Sequence, residues 1–480
     1  MQRILSLASE NIKTSSLLSS LSKVALIIGL CTVTPLTQAA DRIQVSAPIY
    51  EFNLDNGLKI LVKQDKRAPV VVSQLWYKVG SSYEHGGITG ISHVVEHMMF
   101  KGTKKYPTGE FNRIIGENGA EDNAFTGQDY TAYYQVVAND RLEVAMDLES
   151  DRVRGLTLPP DEFKKELKVV QEERRWRTED NPNALTYEQF MATAFMNSPY
   201  HNPVIGWMTD LENLKVEDLR AWYERWYAPN NAVLVVVGDV EPDQVFEMAK
   251  KYYGSLKPSE LVPQKPQVET AQKGLRTIQV KAPAELPYIM LGYKTPALVS
   301  AKADEAWEPY ALEVLSSILD GGSSSRLSRD LVRGKELLAS AGAWYNGFGR
   351  MPHLLVMNGT PAKDVPIDTV KAELLAQVER LRKEQVSTEE LARVKAQVIA
   401  SEIYERDSLQ HQATVLGSLE TVGLGYKVMD EYVDKILAIT PEQIQQVAQK
   451  YLIEDHLTIA ELVPQPIDKS KPRFAPTFVR

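Results

Sequence analysis

His93, Glu96 and His97 stand together in the stretch His93-Val94-Val95-Glu96-His97. Residues four apart on a helix share a face, so both imidazoles can reach one ion. Glu96 sits directly before His97, at the edge of that face, where its carboxylate can act on a metal-bound water without displacing it. Two neutral imidazoles and a carboxylate suit Zn2+ in a tetrahedral site with one position left open, one ion per chain. The order His-x-x-Glu-His is that of the inverted zincin motif.

A third protein ligand has to come from elsewhere. The tract 162–182 carries Glu166 and Glu173 seven apart, two turns along one helical face, with Glu172 adjacent. Most charges in that tract read as a solvated face shared with Lys168, Arg174 and Arg175. Residue types alone leave the choice among its glutamates open.

The surrounding text shows what must position these groups. Residues 50–65 alternate around Asp55-Asn56-Gly57, a hairpin signal. Residues 68–81 are rich in β-branched and aromatic side chains, as strands are. Over 86–103 the period changes, and Ile91, Val94, Val95, Met98 and Met99 mark a helix with one buried face. Strand-like text returns over 123–138. Helical tracts cover 139–156 and 160–177, and 232–240 reads as a short, continuously apolar strand.

Residues 257–274 are proline-rich and without periodicity, so they read as a linker. Beyond them the order of the first half repeats. Residues 160–173 align with 388–401 at an offset of 228, and 217–241 align with 442–466 at an offset of 225. Both halves thus read as copies of one α+β unit. The second copy lacks the chemistry: 311–327 stands in place of the histidine helix without a histidine, and Ser401 falls where Glu173 sits.

The ordered set GISHVVEHMMFKGT, NAFTGQDYTAYY, ELKVVQEERR and YAPNNAVLVVVGDV resembles the pitrilysin/insulinase family, peptidase family M16. The resemblance covers nearly all of the chain beyond its N-terminal segment and is strongest over 50–240. It implies two homologous α/β-sandwich domains enclosing a chamber, and a zinc endopeptidase acting on peptides or unfolded polypeptides. It places the third ligand 76 residues after His97, at Glu173, with Glu172 as the reserve. It makes Glu166 the group that orients a ligand, and Glu96 the general base. It matches a substrate-binding edge strand to 120–126, with Asn123, Ala124 and Phe125 against an extended peptide.

The resemblance also assigns substrate contact to an Arg and a Tyr seven residues apart in the second half. Arg333 matches the first, but the second position is Ser340, and Tyr345 is out of register. That departure implies a dimer, specifically a heterodimer with a sister M16 subunit that supplies the Arg/Tyr pair. The competing readings are a non-catalytic assembly subunit of the same family and a metal carrier that never cleaves. Glu96 argues against the carrier, since binding alone needs no base beside the ligands.

Composition sets the remaining bounds. The 480 residues carry a net charge of −9 and no basic tract, which argues against a nucleic-acid partner. Arg3, Lys13 and Lys23 precede an apolar run over 24–36, followed by Thr37-Gln38-Ala39-Ala40. That is the pattern of a signal peptide cleaved near Ala39 or Ala40, with a retained anchor as the alternative. The run is shorter than the roughly 20 residues that span a bilayer, and no later stretch approaches that length. The expected organisation is a signal peptide over 1–39, a zinc-binding domain over 40–256, a linker over 257–274 and a metal-free homologous domain over 275–480. The expected location is the periplasm or outside the cell. The one cysteine, Cys31, falls in the leader, so a mature metal site must use histidines and carboxylates.

Overall fold

The computed structural model describes residues 48–468, so the leader and its cleavage point lie outside the described residues. The chain opens with the expected hairpin. β1 (Ile49–Asn53) and β2 (Lys59–Gln64) pair antiparallel with Asn53 opposite Lys59, and Gly57 supplies the left-handed turn residue at φ 88°. Then come β3 (Val70–Tyr77), α1 (Ile91–Met98), α2 (Glu110–Glu117), β4 (Glu121–Thr126), β5 (Thr131–Ala138) and α3 (Leu142–Gly155). The first half closes with α4 (Pro160–Arg174), α5 (Pro182–Ala194), α6 (Met208–Asn213), α7 (Val216–Trp226), β6 (Ala232–Gly238) and α8 (Pro242–Tyr253).

Residues 257–274 carry neither helix nor strand. The second half runs β7 (Arg276–Pro283), β8 (Tyr288–Thr295), α9 (Glu308–Asp320), β9 (Leu338–Tyr345), β10 (His353–Pro361) and α10 (Ile367–Lys383). It ends with α11 (Thr388–Glu405), α12 (Leu409–Val422), α13 (Tyr432–Ala438), α14 (Pro441–Tyr451) and β11 (Leu457–Gln465).

Two tracts differ from the sequence reading. Residues 123–138 form two strands, because Gly127 and Tyr130 close a reverse turn with a 2.8 Å backbone hydrogen bond. The helix anticipated over 86–103 is confined to 91–98, since Gly87 and Gly90 take positive φ and stop it from starting sooner.

The two sheets share one topology. The first is ordered β1-β2-β6-β3-β5-β4 and the second β7-β11-β8-β10-β9. In each, one parallel pair (β2 with β6, β7 with β11) joins a run of antiparallel neighbours. Removing β1 superposes the two connectivities strand for strand, which makes β9 the counterpart of β4. The duplication inferred from weak sequence periodicity is thus carried by the chain path.

Each half covers one face of the other's sheet. β6 is buried along its whole length, which needs cover on both faces. One cover is its own half's helices; the other is α12, whose Ala413 and Leu416 join Leu61, Val72, Trp76 and Val235 in one cluster. Reciprocally, Phe190, Met191 and Ala194 of α5 pack with Met290, Leu354 and Val356 of the second sheet. A glycine permits each close approach: a Cβ on Gly417 would fall 2.1 Å from Trp76 Nε1, and one on Gly292 would fall 2.3 Å from Phe190 Cζ.

Candidate metal centre

Helix α1 is held at its start by two carboxylates distant from the motif. Buried Glu84 accepts the Gly90 and Ser92 backbone N–H groups at 2.7 and 2.8 Å. Asp210 Oδ2 accepts from Gly87 N, Thr89 N and Thr89 Oγ1 at 3.1, 3.1 and 2.6 Å. Both charges sit where the unpaired N–H groups and dipole of a helix N-terminus favour an anion. Gly90 and Gly206 allow this close packing, since a Cβ on Gly90 would meet Ile205 O at 2.5 Å.

That anchoring presents His93 and His97 on one face, with ring centroids 4.8 Å apart. α4 lies against α1 and brings Glu173 to them from its last turn, before the chain widens into a π-turn over Arg175–Glu179. Glu173 Oε2 is 3.3 Å from His97 Nε2 and 3.8 Å from His93 Nε2. One donor atom from each of the three lies within 4.8 Å of the others. Zinc holds such atoms at roughly 2.0–2.2 Å, which sets neighbouring ligands roughly 3.3–3.6 Å apart across a tetrahedral angle. The 3.3 Å separation falls in that range and the 3.8 Å one lies just beyond it. Among the described residues, buried His97 Nε2 makes no aligned hydrogen bond despite its proximity to Glu173, as a nitrogen poised for a metal would be.

Glu172 is turned the other way: its side chain is exposed and pairs with Arg175. Glu166, two turns before Glu173, places Oε2 3.3 Å from His97 Nδ1 and Oε1 2.8 Å from Lys101 Nζ. It therefore meets the ring nitrogen opposite the one facing Glu173, the contact that fixes an imidazole's tautomer and orientation.

Burial draws the His97 imidazole's pKa down, but Glu166, Glu173 and the charge of Glu96 together push it up to about 9. Burial works against the Glu173 carboxylate, yet His97, His93 and Arg177 hold its pKa down to about 2. Arg177 Nη1 lies 2.8 Å from Glu173 Oε1. The pocket is thus an acidic cluster that favours a positive charge among its members.

Glu96 is buried and accepts a 2.6 Å hydrogen bond from Thr126 Oγ1. Thr126 ends β4, which among the described residues is an edge strand paired only with β5. Of the other residues matched to a substrate strand, Asn123 folds its Oδ1 onto the Ala124 backbone N–H at 2.9 Å. Ala124 belongs to the core, and Phe125 packs edge-on against Trp76. Arg333 is exposed and donates to the Ser323 carbonyl within its own half. Tyr345 lies five residues beyond Ser340 and so on the opposite face of β9, where its hydroxyl donates to Pro296 O at 2.5 Å.

A further network was invisible in the motif. Arg350, on the β9–β10 loop, reaches Ser82 Oγ at 2.7 Å and Asp129 Oδ1 at 3.3 Å, and stacks 4.3 Å above the Tyr83 ring. Ser82 and Tyr200 also donate to Asp129. The second half thereby grips the segment that leads into Glu84. Only Thr126 had a signal in the sequence, because it falls inside the strand matched over 120–126.

Residues 59–207 match the model of the Insulinase (Peptidase family M16) domain, and residues 213–398 match that of the Peptidase M16 inactive domain. Over 445 residues the chain is 32% identical to the zinc protease PqqE of Helicobacter pylori, covering 91% of this chain and 98% of that protein. The chain belongs to peptidase family M16. The crystal structure of a protease from Helicobacter pylori superposes on this M16 chain with a TM-score of 0.82 at 31% identity, covering 87% of this chain and 100% of the other. The periplasmic protease PqqL of Escherichia coli shares the fold, with a TM-score of 0.74 at 20% identity over 88% of this chain and 49% of its own. The inactive-domain match runs from the last elements of the first half through most of the second, where no His-x-x-Glu-His turn occurs.

Proposed function

We propose that this M16 chain is an exported zinc endopeptidase that hydrolyses peptides or unfolded polypeptides. The observation that carries the reading is the set of separations around Glu173 Oε2, which suit one tetrahedral ion, beside a buried carboxylate not needed to hold it. His93, His97 and Glu173 would hold the ion. Bound zinc would supply a Lewis acid that makes water acidic near neutral pH and polarises a carbonyl oxygen.

The chain's own residues supply the rest. Glu96 accepts the proton of the attacking water and delivers it to the departing amine. Thr126 holds that carboxylate in place and links it to the strand edge where an extended peptide pairs by main-chain hydrogen bonds. Glu166 keeps His97 oriented, and Arg177 balances the second oxygen of Glu173. The apolar run and small-residue site over 24–40 support export to the periplasm. Among the described residues no helix is long and apolar enough to cross a membrane.

The sister subunit belongs to the same proposal. Ser340 lacks the hydroxyphenyl group and buried Tyr345 cannot supply it, so a partner M16 chain contributes the Arg/Tyr pair. The deciding experiment is Glu96→Gln, assayed with and without such a partner. The variant should keep one zinc and lose hydrolysis by roughly 10²–10⁴-fold, the usual contribution of general base catalysis. Full activity in the variant would end the assignment. A wild-type chain that is metal-free and inactive even with its partner would favour the non-catalytic assembly subunit.

A further inference from the structure

A second group of ligand-type side chains lies at the α11–α12 corner, outside the peptidase site. Glu402 and Glu405 lie three apart on the last turn of α11, and His411 is on the first turn of α12. One donor atom from each lies within 4.8 Å of the others. His411 is 6% exposed, and among the described residues its Nε2 makes no hydrogen bond although Glu405 Oε2 is 3.4 Å away. A buried imidazole nitrogen without a hydrogen bond, aimed at two carboxylates, is costly unless something satisfies it.

The duplicated chain path shows what this corner lacks. α4 leads into α5 and α11 leads into α12, and each second helix crosses to cover the other half's sheet. Extending the 228-residue offset by one position sets Glu402 on Arg174. In the first half, buried Arg174 donates to both oxygens of Glu188 at 2.7 and 2.9 Å and so ties α4 to α5. In the second half a carboxylate replaces that guanidinium, and the corner gathers acids where its counterpart has a buried cation. Arg406 meets Glu402 Oε1 at 3.3 Å from a partly exposed position, leaving Glu405 and His411 facing one another.

We propose that Glu402, Glu405 and His411 bind a divalent transition-metal ion of the zinc class, which braces the α11–α12 corner. The imidazole selects such an ion over calcium or magnesium, which take oxygen ligands. The ion would do for the second half what Arg174 does for the first. It would fix the angle at which α12 leaves to cover the sheet that carries the first site.

Metal counting on the full chain tests this. Wild-type protein dialysed against zinc should hold two ions per chain, and His411→Ala should hold one. The double variant His93→Ala/His97→Ala should still hold one and should melt at higher temperature with zinc than without. Adding His411→Ala to it should abolish both the ion and the shift. Glu405→Gln, at a half-exposed position, should weaken zinc binding in the double variant at least tenfold. Cobalt(II) bound to that double variant should show d–d absorption that His411→Ala removes. A single zinc in wild type that His411→Ala leaves in place, or no zinc and no cobalt band in the folded double variant, would overturn the proposal. If the peptidase-site reading alone failed, wild type would hold one zinc that His411→Ala removes.

Discussion

Thr126 Oγ1 lies 2.6 Å from Glu96 Oε2, so the last residue of the edge strand β4 holds the carboxylate proposed as general base. The bond joins the two jobs proposed for the site, since the edge strand proposed to receive a peptide also holds the proposed base. Hydrogen bonds to charged groups contribute roughly 1.5–3 kcal/mol. Thr126→Val should therefore lower kcat by roughly 10- to 100-fold with zinc content unchanged, and Thr126→Ser should restore most of it. Equal kcat values for Val and Thr would show that the bond does nothing for turnover.

The neighbouring glutamates make a paired test. Glu173 is buried at the two imidazoles, whereas Glu172 points outward to Arg175. Glu173→Ala should emerge from chelator-free purification without zinc, and Glu172→Ala should be fully loaded, as read by metal analysis. The reverse pattern would move the ligand by one residue.

Glu84 ties the start of α1 to pH. Burial raises its carboxyl to about 7, against the pull of the Gly90 and Ser92 N–H groups. The folded chain therefore binds this proton more tightly than the unfolded chain. The stabilisation is fully present below the ordinary carboxylate range near pH 4.5 and is lost as pH rises through about 7. The decline attributable to Glu84 is on the order of 3 kcal/mol. Urea denaturation of wild type and Glu84→Gln between pH 4.5 and 8 should give curves whose difference changes over that window. A pH-independent difference would remove Glu84 as the titrating group.

The crossing of α12 over the first sheet depends on Gly417. Alanine there gains roughly 1 kcal/mol of helix propensity. Its methyl carbon, however, falls 2.1 Å from Trp76 Nε1, and Trp76 is fully buried. Overpacking of that kind costs roughly 1–3 kcal/mol, so the clash wins. Gly417→Ala should lower the denaturation midpoint, and pairing it with Trp76→Phe should recover part of the loss. An unchanged midpoint in the single variant would mean that α12 can lift off the sheet.

The motif residues were legible because their chemistry is local: a His-x-x-Glu-His turn shows two imidazoles on one face whatever surrounds it. Resemblance to M16 proteins then singled out Glu173, which no periodicity distinguishes from Glu172 or Glu166. The first hairpin, the strand within 68–81 and the apolar strand over 232–240 followed from alternation and run length, and the second sheet only from the repeat of the first half's order. What stayed hidden depends on contacts between distant segments. An amphipathic α5 or α12 reads as a helix with one buried face, and nothing in that face says which half it covers. Glu84, Asp210 and Arg350 are single charges in ordinary loops, and their partners lie on other elements.

Arg350 ties the second half to Asp129 and to Ser82, in the segment that leads into α1. Asp129 is buried and accepts from Ser82, Tyr200 and Arg350 at once. Removing the guanidinium leaves a buried carboxylate short of its charge partner, while replacing both groups removes the demand as well. Because the Arg350 side chain is partly exposed, the loss for Arg350→Met is set at roughly 1–3 kcal/mol, below that of a fully buried pair. Asp129→Asn combined with Arg350→Met should cost less than the sum of the two single changes, as chemical denaturation of all four proteins would show. Both single variants should also lose turnover while keeping zinc, since Ser82 and Tyr83 lead directly into Glu84 and the start of α1. Strict additivity in stability, with turnover untouched, would mean that the second half holds its place without this pair.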